Sequence, residues 1–226
     1  MNLSPRLLAC AQLVAPGDRV ADIGCDHGYL GIHLLKNGIA KSVIAADIRK
    51  GPLAAAIGNG EKYGVGDRMS FHLSDGVQSI PRDFDTLVCA GMGGDTMVSI
   101  LDAAPWLKNT QYRLILQCQS KTPMLRQYLL ENGWRIKKEI LVRDGRFLYT
   151  VMEIRYDGEE REVAPGEWYF PPALLENEAS VLKEYYRWVI GGLEIVTAHQ
   201  QEEEKLQGLY YLQNHPSLAF LKEETL

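Results

Sequence analysis

Between residues 18 and 156 the chain alternates short apolar runs with amphipathic stretches. "RVADIG" (19–24) reads as a buried strand, and "YLGIHLLKNG" (29–38) as a helix that stops at Gly38. "SVIAADI" (42–48) is a second strand, followed by a helix over "PLAAAIGNGEKYG" (52–64) with Pro52 in its first turn. "MSFHLSDG" (69–76) is a third strand, and "FDTLVCAGMGG" (84–94) carries a fourth into a glycine-rich turn. "DTMVSILDAAPWL" (95–107) returns as helix, "YRLILQCQ" (112–119) as strand and "PMLRQYLLENGW" (123–134) as helix. Strands alternating with helices predict βαβ units and a largely parallel sheet. Such sheets bind ligands at the carboxyl ends of their strands, near the point where strand order reverses.

The alternation breaks at residue 135. "RIKKEILVR" and "FLYTVMEIRY" are two strands with only "DGR" between them, a hairpin signal. A doubly wound α/β sheet closed by an antiparallel hairpin is the outline of the class I methyltransferase fold, here predicted over residues 1–156. The opening "MNLSPRLLACAQLVAPGDR" reads as an amphipathic helix and not as a signal peptide. A polar linker, "DGEEREVAPGEW" (157–168), leads to a helical region from Ala173 to about Asn214. There Leu175, Val181, Leu182, Tyr185, Trp188 and Val189 recur at helical spacing, and Gly191-Gly192 predicts a bend or interruption. Residues 157–226 are therefore expected to form a linker and a small helical hairpin or coiled-coil-like domain.

Composition sharpens this picture at two points. The four cysteines are dispersed in apolar contexts without a CxxC pair, which predicts free thiols in a reducing cytoplasm and no metal site. No apolar run reaches the roughly 20 residues of a membrane span. The net charge of −5 conceals an asymmetry: residues 157–226 hold 14 acids and 5 bases, whereas residues 1–156 hold 15 acids and 19 bases. A basic face on the first segment leaves a polyanionic partner open.

The chemistry concentrates in "VADIGCDHGYLG" (20–31), which joins the first strand to its helix. Gly24 and Gly28 allow a sharp turn and close approach to a ligand, and Gly31 allows tight helix–sheet packing. A dinucleotide fingerprint would need glycine at 26 and 29, where this chain has Asp and Tyr. Asp26 would repel a pyrophosphate but suits a sulfonium with an amino-acid tail, which points to S-adenosylmethionine. Asp47, flanked by Ile48, ends the second strand where an acid can bond ribose hydroxyls. Asp75-Gly76 ends the third strand and is placed to receive an adenine amino group. Ala90, Gly91, Met92, Gly93 and Gly94 end the fourth, in a place expected to be open to substrate.

These residues resemble a known family, the bacterial tRNA (adenine-N1) methyltransferases that modify adenine 22. "LSPRLLACAQLV", "ADIGCDHGYL", "AGMGG", "LILQ" and "LLENGW" match its motifs along nearly the whole chain, and the acidic tail is similar to its coiled-coil-like C-terminal domain. The chain departs from the family pattern at Gly28, where Ala is common, at Gly31, where Pro is common, and at Cys118, which follows Gln117 in place of Pro. The resemblance implies that Asp22, Gly24, Asp26, Gly28, Asp47, Asp75 and Gly76 line the donor site, with Ile48, Ala90 and Gly91 beside them. It places His27, Gly91, Met92 and Gly93 where donor and target base meet.

Asp26 is the first candidate for a polar catalytic role and His27 the second, with Asp26 as holder of the donor's amino group an equal alternative. No NPPY-type tetrapeptide follows the fourth strand, which favours a ring nitrogen as acceptor over an exocyclic amine. Candidate RNA contacts are Arg6, Lys137, Lys138, Arg143 and Arg146, with Lys183 and Arg187 in the tail. A cytoplasmic, monomeric enzyme acting on tRNA is the expectation. A small-molecule or protein methyltransferase, a non-catalytic donor-binding scaffold and a nicotinamide enzyme are the rivals.

Overall fold

The computed structural model describes residues 2–199 and 202–222. Its centre is a seven-stranded sheet in the order β3-β2-β1-β4-β5-β7-β6. The strands are β1 (Asp18–Ile23), β2 (Ala40–Asp47), β3 (Met69–Leu73), β4 (Thr86–Gly93), β5 (Arg113–Ser120), β6 (Trp134–Asp144) and β7 (Phe147–Tyr156). The first five pair in parallel, while β7 lies antiparallel to both β5 and β6. Strand order reverses between β1 and β4, so the ends of those two strands face the crevice where α/β sheets hold ligands.

Side chains alternate between the two faces. On β5, Leu114 and Leu116 enter the core under α4 (Gly94–Asp102) and α5 (Thr122–Glu131). Ile115 enters the opposite core, beneath α1 (Pro5–Leu13), α2 (Tyr29–Lys36) and α3 (Lys50–Lys62). Both faces are covered, which is why the parallel strands read as continuous apolar runs. Gly31 sits where a Cβ would lie 2.8 Å from Val43 Cγ1, so α2 packs directly on β2.

Two expectations change. The glycines after Ala90 do not form a turn: β4 stays paired with β5 as far as Gly93, through two register shifts around Met92. Gly91 takes φ +79°, so the segment is a bulged strand and not a loop. The pair Gly191-Gly192 does not break its helix, because α7 runs from Ala179 to Thr197. Leu182, Tyr185, Tyr186, Val189 and Leu193 are buried along one stripe, which offsets the roughly 1 kcal/mol that each interior glycine costs. The linker is tied to the sheet at its start. Asp157 and Gly158 donate their N–H groups to Gly133 O, Arg135 and Arg161 grip Asp157, and a short helix α6 (Pro165–Tyr169) follows.

The C-terminal helical region is present, as α6, α7 and α8 (Glu203–Asn214), with residues 200, 201 and 223–226 outside the described set. It shares its core with the sheet through Leu141 of β6. Arg126 of α5 is fully buried there: it ion-pairs with Glu139 at 2.6 Å and donates to Trp168 O, Tyr169 O and Tyr185 Oη. Asn177 closes the outer edge of β6. Its amide oxygen accepts Leu141 N–H at 2.8 Å, and its amide nitrogen donates to Glu139 O at 2.7 Å. All four cysteines are free and buried. Among the described residues no helix is long and apolar enough to cross a membrane.

Candidate functional site

A cavity of about 450 Å³ opens at the carboxyl ends of β1, β2, β3 and β4. Its floor is the loop from Gly24 to Gly28, which turns by placing Gly24 (φ +71°), Asp26 (+50°) and Gly28 (+72°) in the left-handed region. Asp tolerates that conformation better than most side chains, which is how this loop dispenses with a central glycine. Gly24 and Cys25 donate their N–H groups to Ala46 O, tying the loop to β2.

Asp47 is the hub. It is 4% exposed, and its carboxylate accepts Asp26 N–H at 3.1 Å and Arg49 N–H at 2.9 Å. Its carbonyl accepts Ser74 N–H, so the ends of β1, β2 and β3 all converge on this one residue. Asp22 lies deeper, 3% exposed, with Oδ2 unpartnered in the protein. Burial pushes its carboxyl up to about 7; the Gly31 N–H opposes that rise and the neighbouring Asp47 adds to it. Asp26 and Asp75 stand at the mouth, so four carboxylates face one cavity. Arg6 and Arg49 are the cations on its wall. Ile48 presents an apolar surface, 62% exposed, beside them.

On the β4 side, buried Gln117 accepts both Gly91 N–H (3.0 Å) and Arg6 Nη1–H (3.2 Å). Arg6 Nε lies 3.3 Å from Asp144 in the hairpin, so the bulge and the guanidinium are held as a unit. Met92 lies over Gly24, where a Cβ would come within 2.3 Å of Met92 Cε.

Twelve of the residues picked out from sequence line this cavity: Arg6, Asp22, Gly24, Asp26, His27, Asp47, Ile48, Asp75, Gly76, Ala90, Gly91 and Met92. Others stand elsewhere. Gly28 packs on Ala56, and Gly93 and Gly94 make room for Ser120 at the end of β5 and Lys121 just after it. Lys137 and Lys138 are exposed on the edge strand β6, beside a register shift. Arg143 pairs with Glu184 of α7. His27 is exposed, 3.7 Å from Asp26, with its ring stacked 5.8 Å from that of Tyr29.

Arg49, Ser74, Thr96, Ile100 and Gln119 also line the cavity without having been expected there. Gln119 was findable as a strand end, and Gln117 as a polar residue interrupting an apolar run; Ile100, on the second turn of α4, carried no signal. A cavity with four carboxylates and an exposed apolar ledge suits a cationic ligand that also bears a flat ring. Among the described residues no cluster of three His, Cys, Asp or Glu side chains is placed to hold a metal ion.

The family model described as "Methyltransferase domain" matches residues 3–152. The tRNA (adenine(22)-N(1))-methyltransferase of Bacillus subtilis is 31% identical over 193 residues, covering 82% of this chain and 80% of that protein. The crystal structure of the B. subtilis m1A22 tRNA methyltransferase superposes with TM-score 0.77 at 26% identity, over 98% of this chain and 97% of that one. The Streptococcus pneumoniae protein Sp1610, in complex with S-adenosyl-L-methionine, gives TM-score 0.80 at 25% identity, over 94% and 100% of the two chains. The sheet order, the acid-lined crevice at its switch point and these likenesses agree: the chain belongs to the tRNA (adenine(22)-N1)-methyltransferase family.

Proposed function

We propose that the chain methylates N1 of adenine 22 in tRNA, with S-adenosylmethionine as donor and the acid-lined cavity as its site. The observation that carries the donor half of this reading is the buried, unpartnered Asp22 oxygen on that cavity's wall, and the acceptor half rests on the likeness to the Bacillus subtilis enzyme. An orphaned carboxylate oxygen is costly unless a ligand completes it, and the ammonium of an amino-acid tail does so. Asp47 keeps lone pairs for ribose hydroxyls, Asp75 stands where an adenine amino group would donate, and the exposed face of Ile48 offers a ledge for the ring.

Bound here, the donor supplies an electrophilic methyl on a sulfonium. Adenine N1 has an in-plane lone pair, so no residue needs to take a proton before attack. The chain's contribution is alignment, from the rigid Gly91–Met92 wall set by Gln117, together with carboxylate and carbonyl oxygens that stabilise charge developing on the base. Asp26, at the mouth, is the carboxylate best placed for that role, with His27 beside it. N1 lies on the pairing edge, so the target adenine enters the cavity unpaired or flipped. An enzyme for such an acceptor would work in the cytoplasm, where tRNA is processed.

The direct test is methyl transfer from labelled donor to an unmodified tRNA transcript, with nucleosides identified by mass spectrometry. N1-methyladenosine is expected with wild type, and none with Asp22→Ala or with a transcript carrying guanine at position 22. Donor binding without any methylated nucleoside would overturn the reading.

Asp22 also sets a pH dependence. Below pH 7 its carboxyl is neutral and gives the ammonium no counter-charge. Affinity for S-adenosylhomocysteine should therefore fall between pH 8 and pH 6, and calorimetry at pH 7 should register proton release on binding. An Asp22→Asn protein should bind more weakly and with a flat profile. In the ligand-free protein the sign is opposite. The folded state holds this proton more tightly than the unfolded chain, so the group's contribution to stability is complete below about pH 4 and is lost as pH rises through 7.

A further inference from the structure

A second concavity of about 660 Å³ lies between α7 and the sheet, bounded by the β5–α5 loop and the start of β7. Gln119 belongs to both linings, so the groove lies next to the methyl-transfer cavity. Two features distinguish it from ordinary surface. Among the described residues its lining holds Lys121, Arg187 and Lys205 and no Asp or Glu, with Lys121 paired to Asp95 and Lys205 to Glu202 at its rim, so that Arg187 is the cation there with no ion pair among the described residues. It also presents large rings to solvent: Trp188 is 68% exposed and Phe147 52%, with Tyr149 tilted 6.0 Å from Phe147.

Exposed rings gathered around one groove mark a recognition surface more than a solvated one. Trp188 is held in place, because Tyr185 lies 5.9 Å behind it and is itself hydrogen-bonded by buried Arg126. Gly191 and Gly192 face the same groove, with no atom within 4 Å of where a Cβ would project. Side chains at those positions would occupy the space the groove offers. The only two non-glycine residues at positive φ among those described, Asp26 and Lys121, stand one at each opening.

We infer that this groove is a base-stacking subsite for the unpaired nucleotides that flank the target adenine. Aromatic faces that accept any base, with cations on the rim for phosphates, are how proteins grip single-stranded nucleic acid. The assignment rests on the tRNA reading above and adds to it: the target base enters the donor cavity while a neighbouring base stacks between Trp188 and the Phe147–Tyr149 wall.

The test uses the full chain with an unmodified tRNA transcript and with a hexameric oligoadenylate. Trp134 and Trp168 are buried and Trp106 is half-buried, so quenching by added iodide reports mainly on Trp188. Both RNAs are expected to lower Trp188 emission and shield it from iodide. Trp188→Ala should raise the KM for tRNA ~10-fold, about the loss of one stacked base, with kcat and S-adenosylhomocysteine affinity unchanged. Gly192→Leu should raise it similarly while melting no lower than wild type.

Wild-type KM in the Trp188→Ala protein, or unaltered Trp188 emission on RNA binding, overturns the assignment while N1-methyladenosine production leaves the parent reading standing. Shielding of Trp188 that depends on protein concentration without RNA also overturns it, in favour of a second copy. No methylation or RNA binding by wild type removes both. If Gly192→Leu fails to fold, the fluorescence of wild type decides.

Discussion

Asp47→Ala protein is expected to bind S-adenosylhomocysteine at least ~100-fold more weakly than wild type. The expectation follows from Asp47's two roles. Its carboxylate fixes the Asp26 and Arg49 backbone, and so the shape of the loop floor, at 3.1 and 2.9 Å. Charge-assisted hydrogen bonds of this kind are worth roughly 1.5–3 kcal/mol each, so losing both, with the donor's ribose contacts in addition, exceeds two decades in affinity. Asp47→Asn keeps one acceptor oxygen and should fall between. Titration calorimetry decides: a Kd within threefold of wild type for the alanine variant would mean that the loop is held by Ala46 O and the glycines alone, and that Asp47 is not the ribose anchor.

Arg126→Met should lower stability by about 3–5 kcal/mol, because it strands the Glu139 carboxylate in a site with no solvent access. For a chain of this length that corresponds to a melting temperature roughly 6–20 °C lower. Burial works against the Arg126 charge, but Glu139 and Tyr185 outweigh it and hold the guanidinium protonated. The double substitution Arg126→Met/Glu139→Leu should recover most of the loss, since a buried pair often contributes little beyond its apolar replacement. Thermal melts of the three proteins test this. Equal destabilisation by the single and double substitutions would show that the bonds to Trp168 O and Tyr169 O, not the ion pair, hold the helical region to the sheet.

The sequence was most informative where function requires a residue type at a strand end. Asp22, Asp47 and Asp75 each close an apolar run, and the fold brings all three to one cavity. It was least informative where a residue's role depends on a partner far along the chain. Gly91–Gly93 looked like a turn because periodicity does not encode the register with β5. Arg143 and Lys138 looked alike on a basic strand, yet one meets Glu184 on α7 and the other faces solvent. Arg126 sits in an ordinary amphipathic pattern, and nothing local marks it as the most deeply buried cation of the described chain. The continuity of α7 through its two glycines was hidden for the same reason: its apolar stripe is covered by α8 and by the turn at Pro216–Leu221, which contribute Leu212, Leu218 and Leu221.

The closure of β6 by Asn177 bears on how the chain is made. β6 is the sheet's outermost strand, eleven residues long, and it is complete before the segment that covers it has been translated. Until Asn177 and the residues around it arrive, its outer backbone groups are a template for any other extended chain. Lys137 and Lys138, exposed beside a register shift on that strand, supply the interim protection that edge charges and bulges give. The helical region is thus a late-arriving guard for the sheet as well as a wall of the groove. A gene shortened after Tyr156 would keep every strand end of the donor cavity and yield a protein prone to pair with itself.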